Sequence, residues 1–398
     1  MPAASATETA SRSDLDALAP TWAEVSLGAL RHNARRVRSL TGGAEVMAAV
    51  KADAYGHGAV AVARALAEAG VQRFSVASAV EGAALRHAGL AEPILVMGAV
   101  LPEVLPLCAR HALDVTVTSA EGADAVIDAA RRGGPLAVHV KVDTGMHRLG
   151  LDPDEAPAVL RRLGEAPGVT VAGLWTHFAN VAGDFTAEQI ARFDALVARL
   201  GSDGVAVPPL LHLANTGGLL TTPASVRGRQ IVRTGGALYG LVSDRMLAGV
   251  AADLQPVMRL VSRVVQVKTL MPGATVSYGQ TWRATEPTIV ATVAAGYGDG
   301  VPRALSNRGR VGVGGRLYPV AGRVCMDMLM LDLGRPDGRG ASVRVGDEAV
   351  LFGPGGPSAL DVADAAGTIA YVLTTGLTSR VPRVATDAAR SEAPALGR

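Results

Sequence analysis

Between residues 44 and 240 the chain alternates two kinds of pattern. Short β-rich apolar runs fall at 45–52, 73–78, 93–98, 114–119, 136–143, 169–178, 210–216 and 230–235. Between them, at 61–69, 80–88, 121–132, 154–163 and 187–200, apolar positions return every three or four residues, the spacing of an amphipathic helix. Eight β-α alternations over about 200 residues predict a closed (β/α)8 TIM-type barrel in preference to an open doubly wound sheet. A further short run, 23–27, precedes the first helix and is assigned outside the barrel.

Beyond about residue 248 the helical period fades. Strand-like stretches at 259–270, 288–294, 310–314, 319–333 and 348–352 are separated by Gly- and Pro-rich turns, and a late helix is expected at 361–366. This predicts a second, mostly antiparallel β domain. The expected organisation is a flexible N-terminal tail at 1–14, a barrel at 15–248, a β domain at 249–385 and a flexible tail at 386–398.

The composition narrows the function classes. With 398 residues, 49% hydrophobic, 19% charged and a formal net charge of +2, the chain reads as a soluble globular protein of two domains. The pI near 8.7 comes from scattered arginines, and only 4% of residues are aromatic, so nothing resembles a nucleic-acid surface. Residues 1–14 lack a basic start followed by an apolar core and read as a tail, not a signal peptide. The most apolar stretch, 93–109, is broken by Gly98, Pro102, Glu103 and Pro106, which excludes a spanning helix. Two cysteines, Cys108 and Cys325, are too few for a disulfide framework and fit a cytoplasmic location.

Residues capable of chemistry collect at the expected C-terminal ends of the barrel strands, the face where barrel enzymes place their active sites. Lys51 in AVKADAYGHGA ends the first, behind Met47, Ala48, Ala49 and Val50. A lysine so placed is poorly solvated, which favours its neutral, nucleophilic amine. KVDTGMHRLG supplies Lys141, Asp143 and Arg148, and GLWTHFAN supplies His177. LHLANTGG supplies Asn215 and Thr216, and VRTGGALYG supplies Arg233, Gly235 and Gly236. The loops after strands seven and eight are the usual phosphate cradle of this fold, and here they offer hydroxyls and unhindered backbone N–H groups. A buried lysine across a barrel mouth from a phosphate site suggests pyridoxal 5'-phosphate.

These motifs, with VSYG, GYGDG, GRVCMD and SRVPR following in order, resemble the alanine racemase family over roughly residues 20 to 385. The resemblance implies a homodimeric racemase that interconverts L- and D-alanine and feeds D-alanine to peptidoglycan precursors. It implies that Lys51 holds the coenzyme covalently and that Tyr55, Thr216, Gly236 and Tyr371 contact its phosphate, with Asn215 and Gly235 beside them. Arg233 matches the arginine that faces the pyridine nitrogen, backed by His177. An arginine keeps its proton, so the ring nitrogen stays unprotonated and the electron sink is weak. Racemisation needs a base on each face of Cα, and the resemblance assigns these to Lys51 and to Tyr278 from a second subunit. Arg148 matches the residue that contacts both this phenol and the substrate carboxylate. Lys141 matches a position that can be carbamylated. Cys325 and Met326 match residues brought near substrate across the interface, and Tyr297 and Arg303 line the access channel. Tyr371 and Tyr278 form the constriction that keeps the pocket small enough to suit alanine.

The chain departs from the family pattern at Ala370 and Val372, which lack two polar side chains around Tyr371, at Thr216 in place of serine, and at His147 in place of a frequent glycine. Alternative readings are a racemase of broader specificity, an amino-acid decarboxylase of the same fold, and a non-catalytic coenzyme carrier. The expected acidic residue at the ring nitrogen of a decarboxylase is replaced here by Arg233. Cys108 reads as a small buried hydrophobe, Asp299 as a turn residue rather than a metal ligand, and Asp53 and His57 as residues that shape the loop after Lys51.

Overall fold

The computed structural model describes residues 18–387. The expected tail at 1–14 and residues 388–398 of the expected C-terminal tail lie outside them. Over the described residues the chain divides into two compact units, one comprising Ser26–Val257 with Asp387, the other 18–25 and 258–386.

Strand β1 (Trp22–Ser26) belongs to the second unit and is described with it. The first unit is built on eight strands: β2 (Glu45–Ala49), β3 (Arg73–Val76), β4 (Ile94–Ala99), β5 (Asp114–Val117), β6 (Leu136–Lys141), β7 (Val169–Trp175), β8 (Leu210–His212) and β9 (Ile231–Thr234). All pair in parallel in the order β8-β7-β6-β5-β4-β3-β2-β9, as expected of a (β/α)8 barrel. The seam between β8 and β9 closes through Gln230 N–H to Leu211 O at 3.2 Å and Arg233 N–H to Ala214 O at 3.0 Å. The Gln230 side chain also accepts from Leu211 N–H at 3.0 Å, so a side chain completes the closure where the backbone ladder stops. Met47, Leu95 and Ile231, from β2, β4 and β9, pack into one core cluster with Met97 and Leu210 against it.

Several of the helices that cover the strands begin where a short polar side chain caps them. Ser26 accepts from Ala29 N–H at the head of helix Leu27–Leu40, and Ser119 accepts from Gly122 N–H at the head of Ala120–Gly133. Ser78 and Glu81 form a reciprocal capping box on Ala79–His87. The apolar segment around Cys108 contains the short helix Leu105–Arg110, which admits Pro106 in its first turn, and Cys108 is buried within it.

The second unit is antiparallel, as the alternating pattern predicts. β10 (Met258–Leu270) is its spine, flanked by β1 on one edge and β17 (Glu348–Phe352) on the other, and paired further along with β13 (Thr288–Val293). β11 (Thr275–Val276) and β12 (Trp282–Arg283) form a small hairpin around Tyr278. β14 (Arg310–Val313) pairs with β15 (Arg316–Pro319) and β17, β16 (Leu329–Gly334) with β13, and β18 (Arg383–Thr386) edges the sheet beyond β1. The single strand expected at 319–333 is two, because residues 322–327 leave the sheet as a loop carrying Cys325 and Met326. Asp299 behaves as a turn residue: its carboxylate accepts Gly296 N–H at 2.9 Å and pairs with Arg380 at 3.3 Å.

Asn33 ties the barrel unit together at one buried point. Its amide donates to Leu238 O and Gln255 O at 3.1 and 2.8 Å and accepts Gln255 N–H at 2.8 Å. Asn33→Ala strands three buried backbone groups, and we expect a loss of about 2–4 kcal/mol, read as a lowered urea midpoint. A midpoint unchanged from wild type would contradict that account.

Candidate active site

Lys51 stands just past the end of β2, and the backbone immediately reverses hand. Ala52, Asp53, Ala54 and Tyr55 all sit near φ +53° with ψ between 37° and 53°, a turn of left-handed helix. For L-residues this costs about 1–2 kcal/mol each, so the turn must be held from outside. Ala52 N–H donates to Glu81 at 2.8 Å, Ala59 N–H to Asp53 Oδ1 at 2.7 Å, and Gly58 N–H to Asp53 O at 3.0 Å. The His57 ring lies 3.0 Å from Ala54 O and 2.9 Å from Tyr55 O. Asp53 and His57 thus shape this loop. Beneath it, the ring of buried Tyr239 packs at a tilt against Tyr55 and His57, and its hydroxyl donates to Ala49 O at 2.9 Å. Burial lowers the Lys51 amine pKa, and Arg148 and Arg233 push it the same way.

Across the mouth, the loops after β8 and β9 converge on Tyr55. Thr216 Oγ1 lies 3.0 Å from Thr234 Oγ1 and within 3.4 Å of the Gly235 and Ala237 amides. Asn215 caps the turn by accepting Gly218 N–H at 2.9 Å. A Cβ at Gly235 would meet the Tyr55 hydroxyl at 2.5 Å. Only glycine leaves that cradle open for the hydroxyl. Gly236 begins the 3-10 turn Gly236–Tyr239 directly behind it.

Arg233 on β9 is buried, and burial pulls its pKa down to about 9, still protonated at neutral pH. Three carbonyls take its N–H groups: His212 O at 2.8 Å, Thr176 O at 2.6 Å and Leu213 O at 3.1 Å. His177 Nδ1 is 3.5 Å away, but His212 Nδ1 is nearer at 3.0 Å. Behind it a row of buried groups crosses the barrel. His212 Nε2 lies 2.9 Å from His139 Nδ1, whose Nε2 lies 3.5 Å from Asp114. A guanidinium can only donate, so His212 Nδ1 must accept, its Nε2–H donates to His139 Nδ1, and the remaining His139 proton faces Asp114. The arginine thereby fixes both tautomers. Gly173 makes the row possible, since a Cβ there would lie 2.1 Å from His139 Nδ1. Trp175 stacks on His212 and lies under both Arg233 and Lys141, at 4.5 and 5.0 Å from its ring centre.

Lys141, buried at the end of β6, has its pKa lowered to about 8 by burial, with Arg148 and Arg233 adding to the effect. Arg148 is exposed on the following loop. His147 before it adopts φ +52°, which accounts for glycine at this position in the family pattern. Asp143 Oδ1 accepts the His147 and Gly145 amides at 3.1 and 2.8 Å and secures the conformation without glycine.

Lys51, Tyr55, Lys141, Arg148, His177, Asn215, Thr216, Arg233, Gly235 and Gly236 therefore share the barrel unit. Tyr278, Tyr297, Arg303, Met326 and Tyr371 belong to the second unit, where Tyr278 is 73% exposed and Met326 53%. Sequence motifs alone do not single out His139, His212, Trp175, Asp114 or Glu81. Trp175 and His212 lie within GLWTHFAN and LHLANTGG, and the Ser-x-x-Glu spacing of its capping box marks Glu81; His139 and Asp114 carry no local signal.

Comparison with known proteins places these features in company. The family model described as alanine racemase, N-terminal domain, matches residues 25–243, and that of the C-terminal domain matches residues 257–385. An alanine racemase from Halothermothrix orenii is 41% identical over 92% of this chain and 96% of its own length. One from Sorangium cellulosum is 42% identical over 92% and 98%. Among solved structures, alanine racemase from D-cycloserine producing Streptomyces lavendulae superposes with a TM-score of 0.85 at 36% identity, covering 92% of this chain and 97% of that one. Alanine racemase from Streptomyces coelicolor gives 0.85 at 37%, covering 94% and 100%.

Burial holds the His212 pKa well below its ordinary value, and Arg233 lowers it further. Below about pH 6.5 the unfolded chain binds a proton that the folded barrel refuses, so stability from the neutral ring is present above that pH and lost as pH falls. The expected slope from this one group is about 1.4 kcal/mol per pH unit. Urea midpoints between pH 7 and 5 should fall less steeply in His212→Gln than in wild type. Equal slopes would show that His212 titrates normally in the fold.

Proposed function

The chain belongs to the alanine racemase family, and from that premise we propose that it interconverts L- and D-alanine with pyridoxal 5'-phosphate bound at the barrel mouth. The observation that carries the reading is the convergence of a lysine with a lowered pKa, a cradle of hydroxyls and amides opened by Gly235, and a buried arginine. These residues fit the coenzyme on chemical grounds. Lys51 would hold its carbonyl carbon, Tyr55, Thr216 and the Gly235–Gly236 backbone its phosphate, and Arg233 its ring nitrogen, with Asn215 and His177 supporting them. Bound there, the coenzyme supplies an electron sink that acidifies the Cα–H of an attached amino acid.

The chain's own groups then move the proton. The Lys51 amine, kept poorly basic by burial and by two arginines, is free to take a proton from one face of Cα and return it. Arg233 does not surrender its proton to the ring, because three carbonyls and His212 are arranged around the charged form. That keeps the sink weak and favours reprotonation at Cα over side reactions.

The opposite face needs a second base, which we assign to Tyr278 of a second copy of the chain. The active unit is then a homodimer in which each copy lends Tyr278 and Met326 to the other. Tyr371 would join the phosphate contacts and, with Tyr278, narrow the pocket, while Tyr297 and Arg303 would line the approach. Arg148 would bind the substrate carboxylate and stabilise the Tyr278 phenolate. The product D-alanine would feed peptidoglycan precursors, and the two free thiols, Cys108 and Cys325, support a cytoplasmic setting.

Incubation with each L-amino acid in turn, followed by chiral chromatography and a carbon dioxide assay, tests the reading. We expect D-alanine, no decarboxylation, no coenzyme retained by Lys51→Ala, and retained coenzyme with at least ~100-fold slower racemisation in Tyr278→Phe. Unchanged turnover in Tyr278→Phe would remove the two-base assignment.

Lys141 is proposed to carry a carbamate. Its amine is substantially neutral near pH 8, and only the neutral amine adds carbon dioxide, releasing a proton to leave an anion beside Arg148. Carbon-13 NMR in labelled bicarbonate should show a carbamate signal that weakens as pH drops below 8 and is missing in Lys141→Ala. A spectrum identical in the variant would refute it.

A further inference from the structure

We propose that Ser277 is a positioning residue for the Tyr278 phenol, holding the chain just before it in a backbone state that serine does not keep unaided. The inference rests on Tyr278 acting as the second base. Ser277 has φ 65° and ψ −179°, a region occupied essentially by glycine alone. Such a conformation persists only where its surroundings enforce it.

The enforcing contact is the serine hydroxyl. Ser277 Oγ donates to Arg323 O at 2.6 Å and lies 3.4 Å from Cys325 Sγ. These partners lie on the loop of residues 322–327, which leads straight to Met326. One hydroxyl therefore sets the register between Tyr278 and Met326, the two groups proposed to be lent together to a neighbouring copy.

The rest of the turn is braced so that this tether decides where the tyrosine points. Gly279 and Gln280 are also left-handed, at φ 73° and 53°, and Gln280 N–H donates to Ser277 O at 3.3 Å. On one flank, Val276 is buried with Val290 and Ala321. On the other, Asn307 donates to Thr281 Oγ1 at 3.0 Å while accepting Gly322 N–H at 2.6 Å. Tyr278 itself is 73% exposed, so packing within its own unit does little to fix the side chain. Its direction is inherited from the backbone at 277. A serine serves better than glycine here because glycine would release the strain and with it the tether.

Ser277→Ala keeps the Cβ that opposes this conformation and removes the hydroxyl that enforces it; Ser277→Gly removes both and guards against misfolding of the first. Each holoenzyme is assayed with alanine in deuterium oxide, following α-proton exchange by proton NMR and inversion by chiral chromatography. We expect inversion to fall about 10- to 100-fold with KM little changed, the scale of a small misplacement of a reacting group. Exchange of the enantiomer whose α-proton faces Lys51 should fall less, so the ratio of exchange to inversion rises. A general structural loss lowers both equally and would overturn the proposal, as would a wild-type ratio in both variants. An independent readout uses coenzyme-free protein labelled with fluorotyrosine, which carries six tyrosines; the resonance absent in Tyr278→Phe identifies residue 278. It should shift or broaden in both Ser277 variants, and an unmoved resonance would also overturn the inference. If Tyr278→Phe inverts alanine at the wild-type rate, the base assignment fails. If Tyr278→Phe is inactive while both Ser277 variants match wild type, only the role of Ser277 fails.

Discussion

A full positive charge sits buried in the barrel at Arg233, and its neighbours are arranged to answer it. A guanidinium withdrawn from water loses more than a single partner can restore. The carbonyls of Thr176, His212 and Leu213 therefore point inward, at the ends of β7 and β8 where those strands release their ladder bonds. His212 is kept neutral and its acceptor nitrogen is turned toward the charge, and His139 and Asp114 complete the orientation. The requirement extends to a residue with no polar group, since Gly173 must lack a Cβ for His139 to fit.

The same charge sets the electrostatics of the mouth. Arg233 and Arg148 both bear on Lys51 and Lys141, and burial acts on the two lysines in the same direction. Two amines in a barrel mouth thereby become less basic through a shared cause. Strain is concentrated next to the proposed bases. Lys51 is followed by four left-handed residues clasped by Glu81 and Asp53, and Tyr278 is preceded by Ser277 in a glycine-like conformation. Each group projects from a backbone that could not relax without breaking named hydrogen bonds, which is how a reactive side chain on a loop acquires a fixed direction.

Alternation of apolar runs and helical spacing made the barrel strands legible one by one, because a strand in such a sheet needs only a short local run to declare itself. The antiparallel unit was legible for the same reason. The residues at strand ends followed from counting strands, so Lys51, Arg233 and the Thr216 loop were legible before any fold was known. The stretch 319–333 reads as one strand because its composition stays apolar, yet it leaves the sheet at 322–327 to carry Cys325 and Met326. No periodicity announces a departure that is driven by Ser277 and Gly296 accepting that loop as a neighbour.

By itself the sequence determined which elements form and which chemical groups stand at their ends, since both depend on neighbours a few residues apart. Tertiary structure alone decided that His212, not His177, lies nearest Arg233, and that His139 from β6 reaches His212 past Gly173 on β7. It also decided that Glu81 closes over the turn behind Lys51. Those facts depend on separations of tens of residues and on which backbone lacks a Cβ at a crossing, and the physics that selects them acts only once the strands are side by side.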